Sequence, residues 1–319
     1  MILFFVDREC LEGFSPLSDY TIPPAFRAGE ELLADTWGRL LGGEVGLATR
    51  GFLAESVEWL TGGALRHAEP RGDALLLNAC ASPFSGELVS LLEHAAGMGS
   101  LAVYAGRRVV AAKLSSGSRG LFEAFTGVVE PELVYGHMWM FEEEAVDPRS
   151  AFLDPRSLLA GILGALRGGV AEGAVIEEGA VVRRSYVGPG ARVSAGAVVE
   201  DSVLEGSLLV EGRVRGSYLS RNTWVAGYVE GVILGLGAQV YPGAYLEGCL
   251  AGVYARALPG AYARGARLGH GEAITGGAPA GDALEEYRET LYRRWGRLPS
   301  RFEEELLRRR QLSRRGRRP

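Results

Sequence analysis

Lysine is almost missing from this chain: of 34 basic residues, only Lys113 is a lysine. Any phosphate contact made by a side-chain cation therefore falls to arginine, whose planar fork differs from a lysine point charge. Cysteine is also scarce. Cys10, Cys80 and Cys249 lie far apart, with no CxxC pair and no metal-ligand spacing. That usage argues against a disulfide scaffold and suits a reducing cytoplasm, the expected localisation. The apolar start Met1–Val6 reaches Asp7 too soon for a signal-peptide core, and no run approaches membrane-spanning length. No membrane partner is expected. No GxSxG motif or Ser/His/Asp arrangement occurs, and His67, His94 and His137 stand without evident partners. Positive charge is scarce in the front half. Residues 1–150 carry 11 basic and 21 acidic side chains, which argues against nucleic acid as a main partner. The tail from Arg308 to Arg318 is basic without an acid and reads as a solvated end.

Glycine is what the chain has in excess, and it is placed with a rhythm. From about Val170 to Thr275 an apolar residue returns every six positions, as in Val170-Ala-Glu-Gly-Ala-Val and Ile176-Glu-Glu-Gly-Ala-Val. Of 46 glycines, 23 fall between residues 168 and 278. A period of six fits neither an amphipathic helix nor an alternating strand. It fits a left-handed parallel β-helix in which three hexads make a triangular coil and stacked coils share one core. Ahead of it, residues 1–150 read as an α/β domain. Ile2–Val6 and Ala74–Leu77 are buried strands, Gly29–Leu41 and Ser85–Ala96 are helices, and Leu101–Tyr104 with Val109–Ala112 form a hairpin. Glu142–Asp147 reads as an acidic linker. A linker helix over 151–168 starts at Pro155, the β-helix covers 169–278, and C-terminal helices with the basic tail cover 279–319. Those last helices are expected to cap an open end of the coil stack.

This order of parts resembles the sugar-1-phosphate nucleotidyltransferase superfamily with a C-terminal left-handed β-helix. The likeness is greatest to bifunctional enzymes that combine UDP-N-acetylglucosamine diphosphorylase and glucosamine-1-phosphate N-acetyltransferase activities. The segments Ile2-Leu-Phe-Phe-Val-Asp7, Ser15-Pro-Leu-Ser-Asp-Tyr-Thr-Ile-Pro-Pro24, Arg27-Ala-Gly29 and Leu32 to Trp37 are similar to a divergent branch of that family. Leu75-Leu-Leu-Asn78 and Trp139-Met-Phe141 fit as well. The resemblance implies a nucleotidyltransferase-like (Rossmann-like) first domain, nucleotidyl transfer from an NTP to a sugar 1-phosphate, Mg²⁺, acetyl-CoA as acyl donor, and a homotrimer. The trimer follows from flat β-helix faces packing about a threefold axis.

The departures from that pattern are specific. Asp7–Arg27 should hold a glycine-rich phosphate loop, but it contains only Gly13 and no lysine, leaving Arg27 as the candidate phosphate contact. Where a metal-binding Asp is expected, the chain reads Leu77-Asn78-Ala79-Cys80. Asn78 is the candidate nucleotide or metal-water contact, with a strand-capping turn residue as the alternative, and no metal ligand is assigned at Cys80. In the family's acetyltransferase motif a His acts as base, and the echo here, Trp224-Val-Ala-Gly-Tyr-Val-Glu230, has Trp in its place. His270 is the only His of the β-helix and the candidate acyl-transfer base, with Tyr228 and Glu230 orienting substrate. Arg183, Arg184, Arg213 and Arg215 are candidate phosphate contacts or solvated corners. Three roles stay open: a sugar-nucleotide transferase, a catalytically idle sugar-nucleotide-binding relative, and a scaffold.

Overall fold

The computed structural model describes residues 1–70, 72–95, 100–114, 128–129, 142–206 and 208–275, with short stretches at 288, 291–293, 298–300 and 303–305. Two compact units divide the chain: residues 1–27 with 31–161, and residues 28–30 with 162–319.

The first unit is built on a mixed sheet. Its strands are β1 (Ile2–Asp7), β2 (Val45–Leu47), β3 (Ala74–Asn78), β4 (Leu101–Ala105), β5 (Arg108–Leu114) and β6 (Glu142–Val146). Their spatial order is β2-β1-β3-β5-β4-β6, with Val128–Val129 pairing along the end of β1. β1 is parallel to both β2 and β3, and all six of its residues are buried, so Ile2–Val6 reads as an unbroken apolar run rather than an alternating one before Asp7. The helices are α1 (Arg8–Phe14), α2 (Leu33–Leu41), α3 (Phe52–Leu60), α4 (Gly86–His94) and α5 (Pro155–Ala165). Sequence spacing anticipates α2, α4 and α5 but not the short α1 or α3. α2 begins four residues later than expected and stops at Gly42, whose φ of 67° is the left-handed conformation that ends helices. α5 starts at Pro155, as its fixed φ favours.

Two expectations need correction. The acidic stretch after residue 141 is not a linker: Glu142–Val146 is strand β6, parallel to β4. It lies at the sheet edge, where exposed Glu143 and Glu144 are tolerated and discourage pairing with another strand. Nor are all the cysteines reduced. Cys10 and Cys80 form a disulfide across 70 residues, with Cα atoms 6.1 Å apart. The reason is topological. β1 and β3 are parallel neighbours, so the first turn of α1 and the turn after β3 leave the sheet at the same edge. Cys249 is free and buried, and burial pushes its thiol pKa up.

The second unit contains a parallel β-solenoid of about six turns, consistent with the expected left-handed β-helix. Face A has seven strands from Gly169–Val170 to Arg267–Leu268. Face B has seven from Val175–Ile176 to Ala273–Ile274. Face C has six from Val181–Arg183 to Tyr262–Arg264. Each strand sends one residue inward, and these inward residues make the core: Val187, Leu204, Leu219 and Leu234 from face A, Val193, Val210, Val225 and Val240 from face B, Val199, Val214, Val229 and Leu246 from face C. Burying each such side chain contributes about 1.5–3 kcal/mol.

Strict hexads would give 18 residues per coil, yet the pairing is tighter. Val181 pairs with Val198 and Val198 with Arg213, so successive coils hold 17 and then 15 residues. The short coils lose residues at the corner leading from face B to face C, and glycine stands at those cut corners. A Cβ at Gly227 would sit 2.5 Å from Ala244 O and 2.6 Å from Tyr241 O. A Cβ at Gly212 would collide with the backbone of Ala226 and Gly227. Gly212 and Gly227 are thus close-approach positions, while others such as Gly173, Gly179 and Gly196 turn corners at positive φ. The predicted C-terminal helices fall largely outside the described residues, where only 288, 291–293 and 303–305 are seen as helical.

Candidate functional site

In the first unit the chain runs from β1 to β2 on one side and then to β3 on the other. The carboxyl ends of β1 and β3 therefore form a topological switch point, where open α/β sheets place ligands. Asp7 and Asn78 end those two strands and face each other. Asn78 Nδ2 donates to Asp7 Oδ2 at 2.6 Å and to Val109 O at 3.1 Å, while its Oδ1 accepts from Cys80 N at 2.9 Å. Asp7 also caps α1, its Oδ1 accepting from Cys10 N at 2.6 Å. Asn78 is fully buried, with its amide engaged by the protein. Arg108 at the start of β5 completes the group. Its Nε lies 3.3 Å from Asp7 Oδ2, and its Nη2 lies 3.0 Å from Glu9 Oε2. This network was legible only in part. A strand ending in acid marks Asp7, whereas nothing in the spacing links Arg108, 101 residues later, to it.

Mg²⁺ does not fit this edge. Both Asp7 oxygens accept N–H groups, the Asn78 oxygen accepts the Cys80 amide, and the Cys80 sulfur is in a disulfide. Hard carboxylate and water oxygens are what the ion takes. Among the described residues, no three His, Cys, Asp or Glu side chains cluster to hold a metal. Arg27 is half-buried in the two-residue strand Arg27–Ala28.

In the solenoid, His270 sits at the corner between faces A and B, between the strands Arg267–Leu268 and Ala273–Ile274. It is 6% exposed. Its Nδ1 accepts from Val253 N at 2.9 Å, and a Cβ at Gly252 would approach that nitrogen to 2.7 Å. A backbone N–H on Nδ1 makes that nitrogen the acceptor, so the neutral ring carries its proton on Nε2. Trp224, at the position where the resembled motif has His, lies on face B. Its Nε1 donates to Glu211 Oε2 at 2.6 Å, and its ring meets Tyr241 edge-on at 4.8 Å. An indole N–H donates only and cannot take a proton from an amine.

Tyr228 and Glu230 lie on face C, the side of the coil across from the His270 corner. Tyr228 OH donates to Glu230 Oε2 at 2.8 Å, and this bond raises the phenol's pKa above its ordinary value, with desolvation adding to it. In-register pairing then builds two outward ladders. Tyr228 stacks on Tyr245 at 4.8 Å and Tyr245 on Tyr262 at 5.3 Å. Beside them runs the column Arg183, Glu200, Arg215, Glu230, Glu247, Arg264. Arg183 pairs with Glu200, Arg215 with Glu230 and Arg264 with Glu247. Arg184 binds Asp201 through two 2.6 Å bonds, which hold that carboxyl below its usual pKa. Three of the four arginines considered for phosphate therefore have carboxylate partners; Arg213 is exposed on the same face. His67, expected without partners, sits 3.2 Å from both Thr49 O and Arg50 Nε. His137 lies outside the described residues.

No family model and no curated protein matches the chain. Among solved structures, it is similar to a mutant of perosamine N-acetyltransferase from Caulobacter crescentus in complex with CoA and GDP-perosamine. The identity is 17%, the TM-score 0.27, and the match covers 43% of this chain and 71% of that one. A second is the acetyltransferase domain of PglB from Neisseria gonorrhoeae, at 19% identity and TM-score 0.23, covering 42% of this chain and 72% of that one. No helix among the described residues is long and apolar enough to cross a membrane.

Proposed function

We propose that the chain is a transferase of sugar-nucleotide metabolism whose solenoid moves an acetyl group from acetyl-CoA to the amine of a sugar phosphate or sugar nucleotide. The observation that supports this reading is His270, a buried imidazole held by a backbone N–H at a glycine-flanked corner. In the transfer, the sugar amine attacks the thioester carbonyl, loses a proton, and the CoA thiolate leaves. With its proton on Nε2, His270 donates to the developing oxyanion or to the departing sulfur. Taking the amine proton as a base requires the other tautomer, with Nδ1 released from Val253. His270 and the Tyr228–Glu230 pair lie on different sides of the stack and three coils apart, so a site that uses both draws them from two copies, in keeping with a homotrimer. Nucleotidyl transfer from an NTP to N-acetylglucosamine 1-phosphate, with Mg²⁺, rests on the sequence resemblance and on Arg27 as phosphate contact; the bonded amide of Asn78 lends it no support.

The test is release of CoA thiol from acetyl-CoA with amino-sugar phosphates and nucleotides as acceptors. Turnover that His270→Ala abolishes, and that mixing His270→Ala with Glu230→Gln protomers partly restores, is the expected result. Turnover unchanged in His270→Ala would sink the assignment. A second reading, a sugar-nucleotide-binding relative without turnover, is favoured by the hydrogen bonds that occupy Asn78 and His270 Nδ1. It predicts stabilisation by a sugar nucleotide with no thiol release.

A further inference from the structure

The Arg108 side chain is nine-tenths buried, yet its hydrogen-bonding capacity is not used up. Nε and Nη2 face Asp7 and Glu9, while buried Nη1 meets no hydrogen-bond partner. A buried guanidinium N–H without an acceptor is an uncommon feature of a folded protein and marks a place for a ligand oxygen. The place is the switch point at the ends of β1 and β3, where ligands of such sheets bind.

Charge decides what kind of oxygen. Asp7 and Glu9 both contact this one guanidinium, so the network carries more negative than positive charge. A phosphate would meet two carboxylates for one cation and is disfavoured. An uncharged oxygen suffers no such repulsion. Glu9 adds the complementary half: Arg108 contacts its Oε2 from both Nε and Nη2, leaving Oε1 to accept from a ligand. Glu9 is 65% exposed, so a ligand can reach it.

We propose that Arg108 Nη1 and the Glu9 carboxylate form a donor–acceptor pair that binds an uncharged polar edge. Such an edge presents an oxygen acceptor beside an O–H or N–H donor. Two sources share this chemistry: adjacent hydroxyls of a sugar ring, and the imide edge of a pyrimidine base. The proposed sugar-nucleotide role guides only the choice of probes. The site belongs to the first unit, and its chemistry is independent of acyl transfer on the solenoid.

The experiment is a set of ligand-observed NMR titrations of the full chain with uracil, N-acetylglucosamine and inorganic phosphate. Wild type is compared with Glu9→Gln and Arg108→Lys. Glu9→Gln changes an exposed side chain and spares the fold, whereas Arg108→Lys keeps a cation beside Asp7 but removes Nη1. Binding of uracil identifies the base as the source, and binding of N-acetylglucosamine identifies the sugar. Either is expected to weaken about tenfold or more in each variant, as loss of one charge-assisted hydrogen bond entails, with phosphate not competing. The proposal is overturned if neither neutral probe binds wild type, if binding is the same in both variants, or if phosphate competes. Thiol release from acetyl-CoA bears on the solenoid alone, so the two readings fail separately.

Discussion

Removing the Cys10–Cys80 bond should cost the first unit a large part of its stability. The two cysteines are 70 residues apart, and the bond ties the start of α1 to the turn after β3. Closing a loop of that length lowers the entropy of the unfolded chain and stabilises the fold by about 4 kcal/mol at 25 °C. For chains of this size that corresponds to a fall of about 8–16 °C in melting temperature. The assay compares calorimetric melts of the oxidised protein with protein reduced in denaturant and refolded under reductant. A Cys10→Ala/Cys80→Ala double variant serves as a reductant-independent control, since alanine adds no polar atom at these two buried positions. Thiol titration of the unfolded, unreduced chain should find one thiol, that of Cys249. Three thiols would remove the premise. Coincident melts of oxidised and reduced protein would refute the reasoning from loop length.

Three other outcomes are expected. Gly227→Ala should destabilise the solenoid by about 1–3 kcal/mol in denaturant unfolding, because the nearest atoms its Cβ must displace are the backbone oxygens of Ala244 and Tyr241; no change would show that the short coils relax freely. Asp201→Asn should flatten the acid limb of stability. The Arg184 pair depresses the folded-state pKa of Asp201, so its stabilisation is present above the unfolded value of about 3.9 and is lost as pH falls through the folded value; unfolding midpoints between neutral and acid pH compare the two proteins. Tyr228 should ionise above the usual tyrosine range of about 10, and Glu230→Gln should bring it back toward that range in an ultraviolet titration. The sign follows from the raised folded value: this stabilisation is complete below the unfolded pKa and disappears as pH rises through the folded one.

The coil stack was legible because its signal is repeated: each coil restates the inward residue and the small corner. What the repeat could not reveal was coil length, since Gly212 and Gly227 look like any corner glycine until the pairing shows the missing residues. β6 was misread because a run of acids is polar whether it is a linker or an edge strand, and only pairing with β4 distinguishes the two. The disulfide was hidden by distance, as neither Cys10 nor Cys80 carries a local mark of the other. Site residues divide on the same line. Tyr228 and Glu230, two apart on one strand, hydrogen-bond to each other, as their spacing allows. The Asp7–Asn78–Arg108 group depends on three strands meeting: the strand ends marked Asp7 and Asn78, but nothing local tied either to Arg108. His270 was visible as the solenoid's lone histidine, but its tautomer is set by Val253, 17 residues earlier and one coil below.

That coils hold either 17 or 15 residues has a consequence for how such a chain can change length. Each coil fits its neighbours by register, so the whole coil is the smallest segment that can be copied or lost without moving inward residues outward. Duplicating Tyr245–Ala261 would add one rung to each face and lengthen both the tyrosine and the charge columns by a step, leaving their alignment intact. Two residues can also be lost at a corner that ends in glycine, as at Gly212 and Gly227. Growth of this surface is therefore stepwise, like a ruler marked only in whole divisions and one fixed fraction.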